Sequence, residues 1–321
     1  MNLIEKLYSI IIFISVLIGI SLGQFNFVRE NAELFIVPLL VAMLYITFLQ
    51  IPISDIKSSF RNLKFTSTAI IMNFVWTPIL AWILAMLFQS DSPALWIGFI
   101  MLMVTPCTDW YIIFTSIAKG NVALSATILP LNLLLQIILL PFYLLIFGGA
   151  TGVIELSYLV ESVLVVLFIP LCLSFFTKTL LKDNQQLKEK LFSKVDVLPI
   201  IFLSLAIIAM FSSQGQILIE NLDLLWKITI PIFLFFIINF VIGEKIGDFM
   251  KFNYADKASF SLTTLARNSP ISLAIAMTAF PEEPLIALTL VVGPLLELPI
   301  LAIISQILLL KKTRVPIKNK Q

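Results

Sequence analysis

The side chains able to do chemistry in this chain sit where such side chains are expensive. Thr105-Pro106-Cys107-Thr108-Asp109-Trp110 interrupts a hydrophobic stretch running from Ala94 to Ile117. The stretch is long enough to span a bilayer, yet its middle carries a thiol, two hydroxyls and a carboxylate. An acidic side chain at bilayer depth costs about 2.5–3.5 kcal/mol on insertion scales, so it marks a functional site. Pro106 removes a backbone donor and breaks the helix. The backbone groups so freed are tolerated only where protein or a water-filled cavity satisfies them. A second interruption, Thr263-Thr264-Leu265-Ala266-Arg267-Asn268-Ser269-Pro270, brings a guanidinium, an amide and hydroxyls. Glu297 lies between two prolines in Gly293-Pro294-Leu295-Leu296-Glu297-Leu298-Pro299, in the middle of another apolar run.

These residue types point to binding a small polar solute or an ion. Asp109 and Arg267 carry opposite charge. Either they pair, which lowers the cost of burying both, or Asp109 titrates beside Arg267 and carries a proton. Thr105, Thr108, Asn268 and Ser269 offer oxygens and an amide beside unwound backbone, where carbonyls and half-helix ends coordinate a cation or polar solute. Hydroxyls in membrane helices also bond simply to their own backbone. Glu297 is a second carboxylate for proton exchange, or a hydrogen-bonding partner for a neighbouring helix. Cys107 is a small hydrophobe in most contexts, but a thiol inside a polar break suits a soft centre such as trivalent arsenic or antimony. Cys172, between two leucines, reads as packing. Trp76, Trp110 and Tyr111 either line a cavity or pack.

Several chemistries are excluded. Histidine is absent, which removes histidine-based metal sites and Ser/His or Cys/His catalysis. An intramembrane aspartyl protease needs two aspartates within the bilayer, and only Asp109 is available. The two cysteines give neither a disulfide framework nor a zinc spacing. No enzyme activity, cofactor or nucleic-acid partner is implied.

The elements that position these residues are membrane helices. Of 321 residues, 60% are hydrophobic and 12% charged, with mean hydropathy +1.04. A soluble domain has about 25% charged residues. The chain reads as a single all-α polytopic membrane domain over 1–321. Ten spans of about 20 residues are expected near 5–23, 34–52, 66–88, 94–118, 122–148, 156–180, 195–213, 224–247, 256–280 and 285–310. The first reads as a retained helix and not a cleaved signal. Eighteen of the 21 Lys and Arg residues fall in loops on one side or at the termini; Arg29 and Lys227 face the other side and Arg267 lies within a span. The positive-inside rule then puts both termini in the cytoplasm of an inner or plasma membrane.

The chain also repeats itself. Ala123-Leu124-Ser125-Ala126-Thr127-Ile128-Leu129-Pro130 in the fifth span resembles Ala287-Leu288-Thr289-Leu290-Val291-Val292-Gly293-Pro294 in the tenth. Each follows a polar-interrupted span, the fourth or the ninth. Five spans per half is odd, so the halves, about 1–150 and 151–321, have opposite orientation. Inverted repeats with matched broken helices indicate a secondary transporter whose site lies near the midplane. This favours alternating access over a passive channel.

At these residues the chain resembles the superfamily that joins bile acid:sodium symporters to arsenical-resistance-3 efflux permeases, most closely the latter. The run Gly293 to Pro299 is similar to the permease pattern in the last helix, and a single cysteine in the broken fourth helix is typical of those permeases. The resemblance puts the family's functional glutamate on Glu297 and its cysteine on Cys107. Asn268-Ser269 followed by Leu273-Ala274-Ile275-Ala276 resembles both branches. It implies a panel of helices 1, 2, 6 and 7 and a core of helices 3–5 and 8–10, with helices 4 and 9 crossing at their breaks. It also implies a substrate site drawn from Cys107, Thr108, Asp109, Arg267, Asn268, Ser269 and Glu297, with Cys107 contacting a metalloid. Two departures stand out. Pro106 and Thr108-Asp109-Trp110 flank the cysteine where the permeases have Arg and an apolar run. Thr263 to Arg267 lacks the sodium-binding glutamate of the symporters and ends in a guanidinium. A proton exchanged through Asp109 or Glu297 is therefore expected as coupling ion ahead of sodium. The alternative is a symporter of an organic anion held by Arg267.

Overall fold

The computed structural model describes residues 3–50, 60–108, 110–148, 161–181, 197–220 and 223–314, and these residues form helices and no strand. In chain order they are α1 (Leu3–Leu22), α2 (Asn26–Asn31), α3 (Glu33–Gln50), α4 (Phe60–Phe88), α5 (Pro93–Val104), α6 (Trp110–Ile117) and α7 (Val122–Gly148). They continue with α8 (Glu161–Leu180), α9 (Leu198–Glu220), α10 (Asp223–Phe249), α11 (Tyr254–Leu265), α12 (Ser269–Ala279) and α13 (Pro284–Arg314). Seven of these, α3, α4, α7, α8, α9, α10 and α13, are long and apolar enough to cross a membrane. The apolar part of α1, with α5 and α12, is shorter. Large apolar side chains such as Phe13, Phe35, Phe168, Phe175 and Ile237 stay exposed. Such a surface, on helices long and apolar enough to cross a membrane, belongs in hydrocarbon, and the chain is an integral membrane protein.

Local chemistry sets the helix ends. Ser92 caps α5 by accepting the Leu95 N–H, with Pro93 in the first turn. Asn121 caps α7 by accepting the Leu124 N–H at 3.1 Å, and Asn253 caps α11 by accepting the Asp256 N–H at 2.9 Å. These amides and hydroxyl satisfy donors that the first helical turn leaves open. α7 and α13 each run straight through two prolines, Pro130 and Pro141 in one, Pro294 and Pro299 in the other. α4 is interrupted by a π turn over Met72–Trp76.

The helices pack in two sets. α9 lies against α3 and α1, and α8 against α3. In the second set α5 packs on α4, α7 and α13, while α10 packs on α4, α11 and α13. α12 bridges the two sets by touching α3 as well as α5 and α13. α5 and the second half of α11 are enclosed: every residue of Leu95 and Ile97–Val104, and of Ala258–Leu265, is buried. At its far end α11 is tied to α10 and α13 by Glu244, which accepts from Lys311 Nζ at 2.7 Å and lies 3.7 Å from Lys257 Nζ.

The α5–α13 contact is close enough to depend on one hydrogen atom. A Cβ at Gly98 would lie 2.9 Å from Thr289 Cβ and 3.0 Å from the Ile286 carbonyl oxygen. Backbone cannot yield as a flexible side chain can, and overpacking of this kind costs roughly 1–3 kcal/mol. Gly98→Ala is therefore expected to lower the thermal unfolding midpoint of the detergent-purified protein. An unchanged midpoint would mean that these helices are free to separate there.

Candidate functional site: two unwound segments locked in a backbone bridge

The first break follows from Pro106. α5 ends at Val104, and Thr105 adopts φ −102°, ψ 101°, the extended conformation that a following proline imposes. α6 resumes at Trp110. The second break is narrower than the run Thr263 to Pro270. α11 continues through Leu265, so Thr263 and Thr264 are in its last turn, and only Ala266–Asn268 is unwound. Asn268 starts the next helix: its Oδ1 accepts the Ile271 N–H, and Pro270 in the first turn needs no acceptor.

The two unwound segments satisfy each other. The Cys107 N–H donates to the Ala266 carbonyl at 3.0 Å, and the Asn268 N–H donates to the Thr105 carbonyl at 2.8 Å. Pro106 and Arg267 thus face each other as a single antiparallel bridge. Side chains reinforce it. Asn268 Nδ2 donates to Thr108 Oγ1 at 3.2 Å, and Thr105 Oγ1 lies 2.9 Å from Ser272 Oγ. The backbone polarity that hydrocarbon would not tolerate is internally paired.

Arg267 is 2% exposed and sits behind the bridge. Its Nε donates to the Leu265 carbonyl at 3.0 Å, its Nη1 to the Met103 carbonyl at 2.9 Å, and its Nη2 to Asn73 Oδ1 at 3.3 Å and to the Thr264 carbonyl. The guanidinium also lies over the Phe235 ring, 5.4 Å from its centroid. Glu297, 4% exposed, accepts the Arg267 backbone N–H at 2.8 Å. The carboxylate thereby ties α13 to the bridge.

In front of the bridge lies a cavity of about 220 Å³. Cys107, Thr108, Arg267 and Asn268 contribute to its wall, with Trp110 beside them. Met43, Thr47 and Gln50 of α3, and Pro199, Ile200 and Leu203 of α9, form the opposite wall. Four of the residues singled out by sequence therefore share one cavity. Ser269 is buried in the first turn of α12, and Glu297 stands behind the bridge; neither is on the wall. Asp109 lies outside the described residues. Of the three aromatics, Trp110 reaches the cavity; Tyr111 is buried with its hydroxyl donating to the Ser125 carbonyl at 3.0 Å, and Trp76 Nε1 donates to Asn239 Oδ1 at 2.8 Å. Cys172 is exposed on α8, facing outward instead of packing, because α8 presents little of its surface to the other helices.

A model of the sodium bile acid symporter family matches residues 37–221. The chain belongs to that family. Among its relatives, the arsenical-resistance protein Acr3 of Corynebacterium glutamicum is 26% identical over 275 residues, covering 82% of this chain and 74% of the relative. Acr3 of Alkaliphilus metalliredigens is 20% identical over 328 residues, covering 94% and 91%. An uncharacterized transporter of Synechocystis is 23% identical over 343 residues, covering 96% and 88%. As a member of a family of symporters, the chain is a membrane transporter.

Two groups of site residues in this family member escape a reading by polarity runs. Asn73 is a lone amide in an apolar span, yet it joins Arg267 to Asn132, accepting from the first and donating to the second at 3.5 Å. Its signal was a repeat: Asn73-Phe74-Val75 recurs as Asn239-Phe240-Val241. Met43, Thr47 and Gln50 recur at helical spacing on α3, but nothing in their types separates them from a helix end.

Proposed function

We propose that this protein is a secondary transporter that exports trivalent arsenic hydroxide in exchange for protons. The observation that carries the reading is the wall composition of a small cavity: a thiol, a hydroxyl and an amide held at fixed spacing by the bridge. A cavity of about 220 Å³ suits a solute of a few heavy atoms. Pockets for drug-sized ligands run from about 300 to 1,000 Å³, so a steroid is disfavoured. Thiolate ligands select soft centres. The Cys107 sulfur bonds to arsenic while one As–O bond breaks, and the thiol proton leaves with the hydroxide as water. The reverse exchange with water releases the solute on the other side. The first turn of α12 lines the cavity together with Cys107, and a helix N-terminal end favours negative charge there.

The architecture in this reading has ten spans in two inverted halves, with α5–α6 and α11–α12 as the discontinuous fourth and ninth. The recurring Asn-Phe-Val segments of α4 and α10 support it, as does the reciprocal bridge. α1, α3, α8 and α9 form the panel; α4–α7 and α10–α13 form the core that moves against it. With both termini cytoplasmic, the cavity lies between the cytoplasmic ends of α3 and α9, and the conformation is inward-open. Asp109 or Glu297 exchanges the proton.

The organic-anion alternative needs Arg267 to present its charge. Four of its five N–H groups are instead given to protein oxygens, which supports the metalloid reading. In proteoliposomes, a proton gradient should drive arsenite movement whether or not sodium is present, and taurocholate should not be carried. Sodium-driven taurocholate uptake without arsenite movement would overturn the proposal.

A further inference from the structure

Arg267 has a second identity, as the occupant of a site. Its guanidinium is held by four oxygens: the Met103 carbonyl of α5, the Thr264 and Leu265 carbonyls of α11, and Asn73 Oδ1 of α4. The three carbonyls belong to the last turns of two helices, where the final four carbonyls have no partner within the helix. Both helices end at the bridge, so both negative ends point at the same place. Each end is equivalent to roughly half an elementary charge. Two such ends sum to about one negative charge, which one guanidinium neutralises. The Phe235 ring face, 5.4 Å from the guanidinium carbon, adds attraction of the same sign. Emptied of its cation, this region would leave several buried acceptors unpaired, each at a cost of about 1–3 kcal/mol.

We infer that the oxygens of Met103, Thr264, Leu265 and Asn73 form a monovalent-cation cage which this chain fills with its own side chain. The tethered charge does what a bound ion would do: it holds the C-terminal ends of α5 and α11 together at the bridge. Because the occupant cannot dissociate, the crossing stays assembled throughout a transport cycle and needs no external sodium. The inference deepens the proton-coupled reading given above and rests on it only for its transport arm. The cage itself makes a claim about binding that holds whatever the solute.

The test is to empty the cage. Purified Arg267→Ala is titrated with guanidinium chloride at millimolar, non-denaturing concentration, and separately with sodium chloride, against choline chloride at equal ionic strength. Thermal unfolding is the readout. A ligand at about ten times its Kd should raise the midpoint by on the order of 2 °C, saturably. The wild-type protein should not respond. Arg267→Lys, which keeps a tethered cation, should fold and also fail to respond. Arg267→Met, which fills space without charge, should be less stable than Arg267→Lys. If Arg267→Ala yields no folded protein with or without guanidinium, the Lys and Met variants decide. Equal stability of the two, or a folded Ala variant indifferent to every cation, would overturn the cage. In proteoliposomes guanidinium should restore part of the arsenite transport lost in Arg267→Ala. If wild-type protein moves no arsenite, the proposed function fails while the thermal response still reads the cage. If wild-type transport stands and the thermal response is missing, only the cage falls.

Discussion

Cys107→Ser should abolish arsenite resistance in a sensitive host while leaving the protein folded. The backbone at position 107 does the structural work, through its N–H to the Ala266 carbonyl, and serine keeps that bond. Serine also nearly matches cysteine in volume, so the buried site, 1% exposed, is not emptied. What it loses is the soft donor proposed to hold arsenic. Efflux from everted vesicles should fall by roughly a hundredfold or more, equivalent to about 2.7 kcal/mol in the transport barrier. The unfolding midpoint should stay near that of the wild type, as isosteric changes usually cost less than about 1.5 kcal/mol. Full resistance in the serine variant, at equal expression, would sink the thiol role and leave hydroxyl and amide contacts to explain the selectivity.

Glu297 should separate two roles in two substitutions. Its carboxylate accepts the Arg267 N–H at 2.8 Å. Glu297→Gln keeps an oxygen in that place but cannot exchange a proton at neutral pH. Stability should change little, whereas the response of transport to a proton gradient should be lost. Glu297→Leu removes the acceptor and leaves a buried N–H unpaired, at a cost of about 1–3 kcal/mol, so both the unfolding midpoint and transport should fall. Gradient-driven efflux that survives in Glu297→Gln would move the proton exchange to Asp109.

Much of this molecule can be read from polarity along the chain, because a bilayer makes polarity costly. The fifth expected span, 122–148, coincides with α7 at Val122–Gly148. The interruption that begins at Thr105 marks a true gap because Pro106 enforces one. The second gap was harder to delimit. Thr263 and Thr264 are polar but remain helical; the Thr264 hydroxyl donates to the Phe260 carbonyl within its own helix at 2.9 Å, so polarity alone overstates the unwound length. The partners of Arg267 are not legible in polarity along the chain. Three of them are carbonyls, which every residue carries, and the fourth belongs to Asn73, brought near by a π turn that hydrophobic periodicity does not register. Composition reports depth in the membrane; it does not report which helix end meets which.

The bridge between Pro106 and Arg267 is made of main-chain atoms. Bonds of that kind are indifferent to the side chains attached to them, apart from the proline that opens the gap. The cavity wall is the reverse: Cys107, Thr108 and Asn268 would meet the proposed solute through what they carry. Architecture and taste are thus written in separate atoms of the same few residues. A lineage can exchange a thiol for a hydroxyl and keep its crossing intact. One scaffold can then carry both the bile-acid name of the family and the arsenic-resistance names of its relatives.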